Sequence, residues 1–259
     1  MISDIVIASY TNITKSFKSF ELRVSSGQLR RGEILGVIGA NALGKTTYMR
    51  MLAGVEKPDS GSIEIASRIS FKPQYLNQEY EGDVRSLLYV AHGKEIENSM
   101  LEEHILIPMG MKKLYDKNVR SLSGGELQKV AVTASLLREA DIYALDEPSA
   151  FLDVEDRIAL AKFLQRFVRS RSKSAIVIDH DMQLIDLVAD SLVIFQGHPG
   201  LDGSAGPPLH KEIGMNQFLK ALSITYRRDE NTGRPRVNKG GGRLDRTQKE
   251  SGNFYYINN

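Results

Sequence analysis

The sequence predicts an α/β fold built around a phosphate-binding loop, and three observations carry that prediction. The apolar run Ile34-Leu35-Gly36-Val37-Ile38 empties into Gly39-Ala40-Asn41-Ala42-Leu43-Gly44-Lys45-Thr46-Thr47, after which a helical pattern begins near Tyr48 and Met49. A strand that turns into a helix through such a loop is a P-loop. Two further apolar strands end in polar groups on the same plan: Asp141 to Leu145 leads to Asp146 and Glu147, and the strand Ser174 to Asp179 leads to His180. Strands of this kind alternate with helical stretches, which implies a parallel sheet covered on both faces.

The chain has 259 residues, 41% of them hydrophobic, enough for one large domain with attachments rather than an obvious two-domain enzyme. A net charge of +2 against 25% charged residues is nearly balanced, so any case for nucleic acid has to be local. The lack of cysteine excludes disulfides, zinc–cysteine sites and any cysteine-held iron–sulfur cluster within these residues. No apolar run approaches the roughly 20 residues needed to cross a bilayer, and Met1-Ile2-Ser3-Asp4 lacks a basic start followed by an apolar stretch. The expectation is a soluble, cytoplasmic protein without a membrane partner.

In chain order, Ile5 to Lys15, Glu21 to Val24 and Ser62 to Ile65 alternate apolar and polar residues as half-buried strands do. Phe17 and Phe20 lie in this β-rich part, and one of them either stacks on a nucleotide base or serves the core. In the P-loop itself, Gly39 and Gly44 permit the turn and backbone N–H groups converge on phosphate at a helix N-terminus. Lys45 reaches the outer phosphates and the Thr46 hydroxyl suits Mg²⁺. The helix from Thr47 to Ala53 stops at Gly54, and a short strand, Ile69 to Gln74, follows a Lys57-Pro58-Asp59-Ser60-Gly61 turn. Helical spacing from Gly82 to Tyr115 indicates a mostly helical lobe. It ends at Leu122-Ser123-Gly124-Gly125-Glu126-Leu127-Gln128, before a helix expected over Lys129 to Arg138. That stretch is either a second anion-binding helix start or an N-cap with a glycine turn.

The adjacent carboxylates Asp146 and Glu147 suit a division of labour, one toward Mg²⁺ and one toward an attacking water. An amphipathic helix from about Val154 to Arg169 follows Ser149 to Asp153, and Leu192 to Phe195 is a last short strand. Gly197 to Pro208 reads as a surface loop, and Met215 to Leu222 as helix. The tail beyond Arg227 is basic and ends in Phe254-Tyr255-Tyr256, which fits either RNA phosphate or an arm folded onto acidic surface of its own or a partner domain.

Taken together, Gly39 to Thr47 (Walker A), Gln74 (Q-loop), Leu122 to Glu126 (signature), Asp146 and Glu147 (Walker B), Ser149 to Asp153 (D-loop) and His180 (H-loop) resemble, in order and spacing, the nucleotide-binding domain of an ABC ATPase. The resemblance covers most of residues 1–200 and implies a RecA-like core sheet, an antiparallel β lobe and a helical lobe at about 76–137, all within 1–205. Gly214 to Leu219, Ile224 to Asp229 and Gly233 to Lys239 then resemble the hinge segment that closes the second nucleotide-binding domain of the E subfamily, the ribosome-recycling or RNase L inhibitor family, so that 206–259 becomes a C-terminal hinge extension. The Arg234-Pro235-Arg236 spelling has an archaeal look.

The resemblance implies ATP and Mg²⁺ as cofactors. Gly39, Asn41, Ala42, Leu43, Gly44, Lys45, Thr46 and Thr47 would bind nucleotide, with Phe17 or Phe20 toward the base. Thr46, Gln74 and Asp146 would serve the metal, and Glu147 and His180 hydrolysis. Ser123, Gly124, Gly125 and Glu126, with Asp153 of the D-loop, would complete the site of a second nucleotide-binding domain, either a missing N-terminal half or another copy. Ribosomal subunits and release or rescue factors are the implied partners. The alternative is the ATPase subunit of an ABC membrane transporter, which the hinge-like tail disfavours. Two departures stand out. The family's cysteine-rich domain and first ATPase domain are not in these residues, which reads as an excised half or a natural half-protein. Ala42 occupies a usual glycine position, which predicts a strained or reshaped loop.

Overall fold

Runs without polar alternation become strands buried on both faces of a parallel sheet, and alternating runs become half-covered strands beside it. In the computed structural model, which describes residues 2–72, 80–93, 100–229 and 235–255, the chain opens with β1 (Val6–Phe17), β2 (Phe20–Val24) and β3 (Gly27–Arg30). Next come β4 (Ile34–Ile38), α1 (Lys45–Leu52), β5 (Ser60–Ile65) and β6 (Ile69–Lys72). A helical stretch contains α2 (Val84–His92), a π-helical segment at Glu102–Leu106, 3-10 turns at Met111–Lys113 and Val119–Ser121, and α3 (Gly124–Leu137). Then follow β7 (Ile142–Asp146), α4 (Val154–Ser170), β8 (Ser174–Ile178), α5 (Met182–Val188), β9 (Ser191–His198), β10 (Asp202–Ala205), β11 (Leu209–His210) and α6 (Lys211–Ala221). The chain closes with β12 (Tyr226–Arg228), β13 (Pro235–Val237) and α7 (Arg243–Ser251).

Strands β6, β7, β8, β4 and β9 lie side by side in that order, all parallel. Their residues alternate between two apolar layers. Leu35, Val37, Ile142, Ala144, Ile176 and Ile178 face α1 and the antiparallel strands, while Ile34, Ile38, Tyr143, Leu145, Ala175 and Val177 face α3, α4 and α5. β1 pairs antiparallel with β2, β3 and β5, and forms the lobe next to the P-loop. Strand β10 runs parallel to β2 and antiparallel to β9, and so welds that lobe to the core.

Two local expectations change. The helix expected from Lys129 begins at Gly124, because Ser123 Oγ accepts from the Glu126 N–H while Glu126 accepts from the Ser123 N–H, closing a capping box. The Gly197–Pro208 loop contains strand β10, whose small residues hide a close approach of main chain: a Cβ on Gly203 would overlap the Leu43 carbonyl oxygen. On the same side, a Cβ on Gly39 would come within 2.6 Å of the Phe195 carbonyl oxygen. The P-loop thus rests on the backbone of β9 and β10.

The tail returns to the body. Arg228 donates to the fully buried Asp186 at 3.2 Å, and the Tyr255 hydroxyl bonds the same carboxylate. Arg227 donates to Asn238 Oδ1, Arg236 pairs with Asp229, and Lys249 with Asp245. Of these four cations, Arg228 reaches the body of the chain at Asp186 on α5, whereas Arg227, Arg236 and Lys249 are held by residues of the tail itself.

Candidate functional site

Strands β4, β8 and β7 are neighbours, so the segments leaving their carboxyl ends share one edge of the sheet. These are the P-loop, Asp179-His180 and Asp146-Glu147. Helix α1 starts at Gly44, in the left-handed region at φ 89°, with no side chain capping its first N–H groups. α6 and α7 likewise lack a side-chain cap, whereas α2, α3, α4 and α5 are capped by Asp83, Ser123, Asp153 and Asp181. Uncapped N–H groups at the positive end of a helix are the donors an anion needs.

Lys45 is buried under this loop and donates to the Gly39 carbonyl at 2.9 Å and the Ala40 carbonyl at 2.6 Å. Burial lowers its pKa, and the negative charges of Glu147 and Asp146 act against that shift, which places the ammonium within electrical reach of both carboxylates. Asp146 is fully buried and neither carboxylate oxygen has a hydrogen-bond partner. Burial pushes its pKa up. The Thr46 hydroxyl lies close enough to lower it without completing a hydrogen bond, and Glu147 raises it further. A buried carboxylate with both oxygens unsatisfied beside a hydroxyl is a fitting donor set for a hard divalent cation such as Mg²⁺, which takes one or two carboxylates and completes its shell with phosphates and water. Among the described residues no cluster of three or more His, Cys, Asp or Glu forms a self-sufficient metal cage.

Glu147 follows with φ 48°, left-handed for a residue that disfavours it. That twist turns its carboxylate toward His180, whose Nε2 lies 3.0 Å from Oε1. Asp179, buried, ties the same edge together: its carboxylate accepts from the Ser149 N–H at 3.1 Å and the Asp181 N–H at 2.8 Å.

The other candidates fall elsewhere or play further parts. Ser123 and Glu126 are engaged in the capping box, and Glu126 also pairs with Lys117 at 2.6 Å. Gly124 and Gly125 lie against Phe151, 79% exposed, between Ser149 and Asp153; a side chain on Gly125 would press within 3.0 Å of the Phe151 carbonyl. Asp153 caps α4 by accepting from the Asp156 N–H. Phe20 stands beside Gly44, whereas Phe17, cross-strand from it, is 49% exposed with Lys15 Nζ 5.9 Å from its ring centre. Asn41 is exposed, Thr47 half-buried, and Leu43 sinks its side chain into the core. Gln74 lies outside the described residues. Lys72 and Gln128 escaped sequence reading: a strand-end lysine and a helix glutamine carry no motif that announces a contact with the Asp146-Glu147 backbone.

Ala42 adopts φ 56°, the strained conformation expected of alanine at a glycine position. Nothing in its surroundings needs the methyl group, since Ala42 is exposed. Ala42→Gly should therefore stabilise the chain by about 0.5–1 kcal/mol, after allowing for glycine's greater unfolded-state freedom. A thermal melt should show the midpoint rising by about 1–2 °C, and a fall would show that the loop holds this φ without strain.

The chain's relatives agree with this arrangement. The ABC transporter family model matches residues 22–150. An uncharacterized ABC transporter ATP-binding protein of Methanocaldococcus jannaschii is 44% identical over 254 residues, covering 97% of this chain and 42% of that protein. ABC transporter E family member 3 of Arabidopsis thaliana is 37% identical over 172 residues, 62% of this chain and 93% of that protein. Among solved structures, the archaeal ribosome recycling factor aABCE1 in complex with the ribosomal stalk protein aP1 superposes with a TM-score of 0.92 at 46% identity, over 97% of this chain and 49% of that one. The chain thus spans less than half of the longer relatives and nearly all of the short Arabidopsis one. With an uncapped P-loop helix, a buried Asp146, a Glu147–His180 pair and relatives of this kind, the chain belongs to the E family of ABC ATPases.

Proposed function

We propose that this chain is the second nucleotide-binding domain of a twin ABC ATPase that uses ATP-driven closure to split ribosomes into subunits. The observation that carries this is the presence of two separate candidate phosphate sites. One is the uncapped start of α1, with Lys45, Asp146, Glu147 and His180 around it. The other is the start of α3, where Gly124 and Gly125 lie against the exposed Phe151, and Ser123, whose Oγ accepts from the Glu126 N–H, keeps its hydroxyl proton to donate to a phosphate. In a head-to-tail pair the first would hold its own ATP and the second would cap the ATP of the partner domain.

Within one site, Lys45 and the loop N–H groups hold the triphosphate. Glu147 accepts a proton from the water that attacks the terminal phosphorus, and His180 fixes the Glu147 carboxylate while facing the same phosphate. Thr46 and Asp146, with Gln74, would hold Mg²⁺, which when bound neutralises phosphate charge. Support for the ribosome as the target comes from the relatives' names, above all the ribosome recycling factor whose fold this chain shares. The partner domain, the subunits, a cytoplasmic setting and the assignment of 206–259 as a hinge belong to the same proposal.

The test is sedimentation with purified ribosomal subunits. With the first nucleotide-binding domain supplied, the chain should co-sediment with the small or large subunit while ATP is held unhydrolysed, and in a separate assay with hydrolysable ATP its turnover should rise when subunits are added. Capture by a membrane permease instead, or full turnover as a dilute monomer, would overturn it.

A further inference from the structure

A buried lysine and a buried glutamine reach the Asp146-Glu147 segment from two different elements. Lys72, 1% exposed, ends β6, one strand beyond β7, and its Nζ donates to the Asp146 carbonyl at 2.7 Å and reaches the Glu147 carbonyl at 3.5 Å. Gln128, also 1% exposed, sits on the second turn of α3, and its Nε2 donates to the Glu147 carbonyl at 2.6 Å. The Glu147 N–H is bound in turn to the Ile178 carbonyl at 2.8 Å. Both main-chain polar groups of Glu147 are therefore held from outside β7, at a residue whose φ of 48° is costly to maintain.

A lone lysine is seldom buried for packing, because desolvation opposes its charge. A core position filled for stability alone would take methionine or leucine. What the ammonium supplies instead is direction: it aims at the two carbonyls that fix where the Asp146 and Glu147 side chains point. Gln128 does the same from α3, the helix whose first turn carries Ser123, Gly124 and Gly125.

We infer that Lys72 and Gln128 are positioning residues for hydrolysis, a two-sided clamp on the Glu147 backbone that sets its carboxylate for attack by water. The inference rests on the reading of Glu147 as proton acceptor, and the experiment separates the two.

Lys72→Met and Gln128→Met keep side-chain volume and remove the donors, so the core remains filled. ATP affinity, measured by titration with a fluorescent ATP, is expected to stay within about twofold. The single-turnover rate, measured with the chain and its partner domain in excess over labelled ATP, should fall roughly 10- to 100-fold, the scale of misplacing a reacting group by about an ångström. The double variant should lose little more than either single one, as expected of groups that orient the same residue through its two flanking peptides. Lys72→Gln, which keeps a donor, should recover part of the rate. Variants that hydrolyse ATP at the unmodified rate overturn the clamp. So do variants that no longer bind ATP, because they make these residues determinants of the fold rather than of alignment. Glu147→Gln, run alongside, reports on the underlying reading: if it hydrolyses normally that reading fails, whereas its inactivity beside a fully active Lys72→Met removes the clamp alone.

Discussion

Glu147→Gln should keep ATP bound while hydrolysis falls by roughly 10²- to 10⁴-fold, the usual contribution of a positioned base. The substitution is nearly isosteric, so the backbone at φ 48° and the contacts of the Glu147 carbonyl with Gln128 and Lys72 are left in place. The amide still faces His180 Nε2 across what was a 3.0 Å contact. Only the capacity to take a proton is gone. Equilibrium titration with labelled ATP should give an affinity close to that of the unmodified chain, and a single-turnover assay should show the lost chemical step. If the variant hydrolyses ATP within a few-fold of the original rate, the proton goes elsewhere and the role assigned to this carboxylate is wrong.

Lys45→Ala should show the opposite pattern, with binding lost first. Its ammonium now bonds the Gly39 and Ala40 carbonyls, so it lies folded within the loop it would serve. Bonds from a charged donor to phosphate are worth about 1.5–3 kcal/mol each, so removing the group should weaken ATP roughly 10- to 150-fold. The nucleotide-free protein should also lose stability, because two loop carbonyls lose their donor. Calorimetric titration and a thermal melt without nucleotide would read the two effects separately. Unchanged affinity would mean that phosphate does not sit over this loop at all.

Much of this site was legible from the chain because its parts are local. Gly39 to Thr47 announce themselves by spacing, and Asp146-Glu147 and His180 by standing where apolar runs stop. Since parallel strands all release their chain at one edge, that placement alone argued for a shared site. Ala42 was legible too, as an alanine where the backbone wants φ above zero. Lys72, Gln128 and Asp179 were not, because each acts through a main-chain group 19 to 75 residues away that no periodicity records. The Asp186–Arg228–Tyr255 contact likewise joins residues 42 and 69 positions apart. The residues of strand β10 read as loop because glycine and serine mimic turn composition, whereas here they make room for another stretch of backbone.

That last feature sets which substitutions the loop tolerates. The P-loop is bedded on peptide groups of β9 and β10 at Gly39 and Gly203, and peptide groups are the same whatever residue carries them. Exchanging exposed side chains such as Gln196 and Ser204 should accordingly leave the cradle's shape alone, whereas any carbon added at Gly39 or Gly203 would wedge the two layers apart.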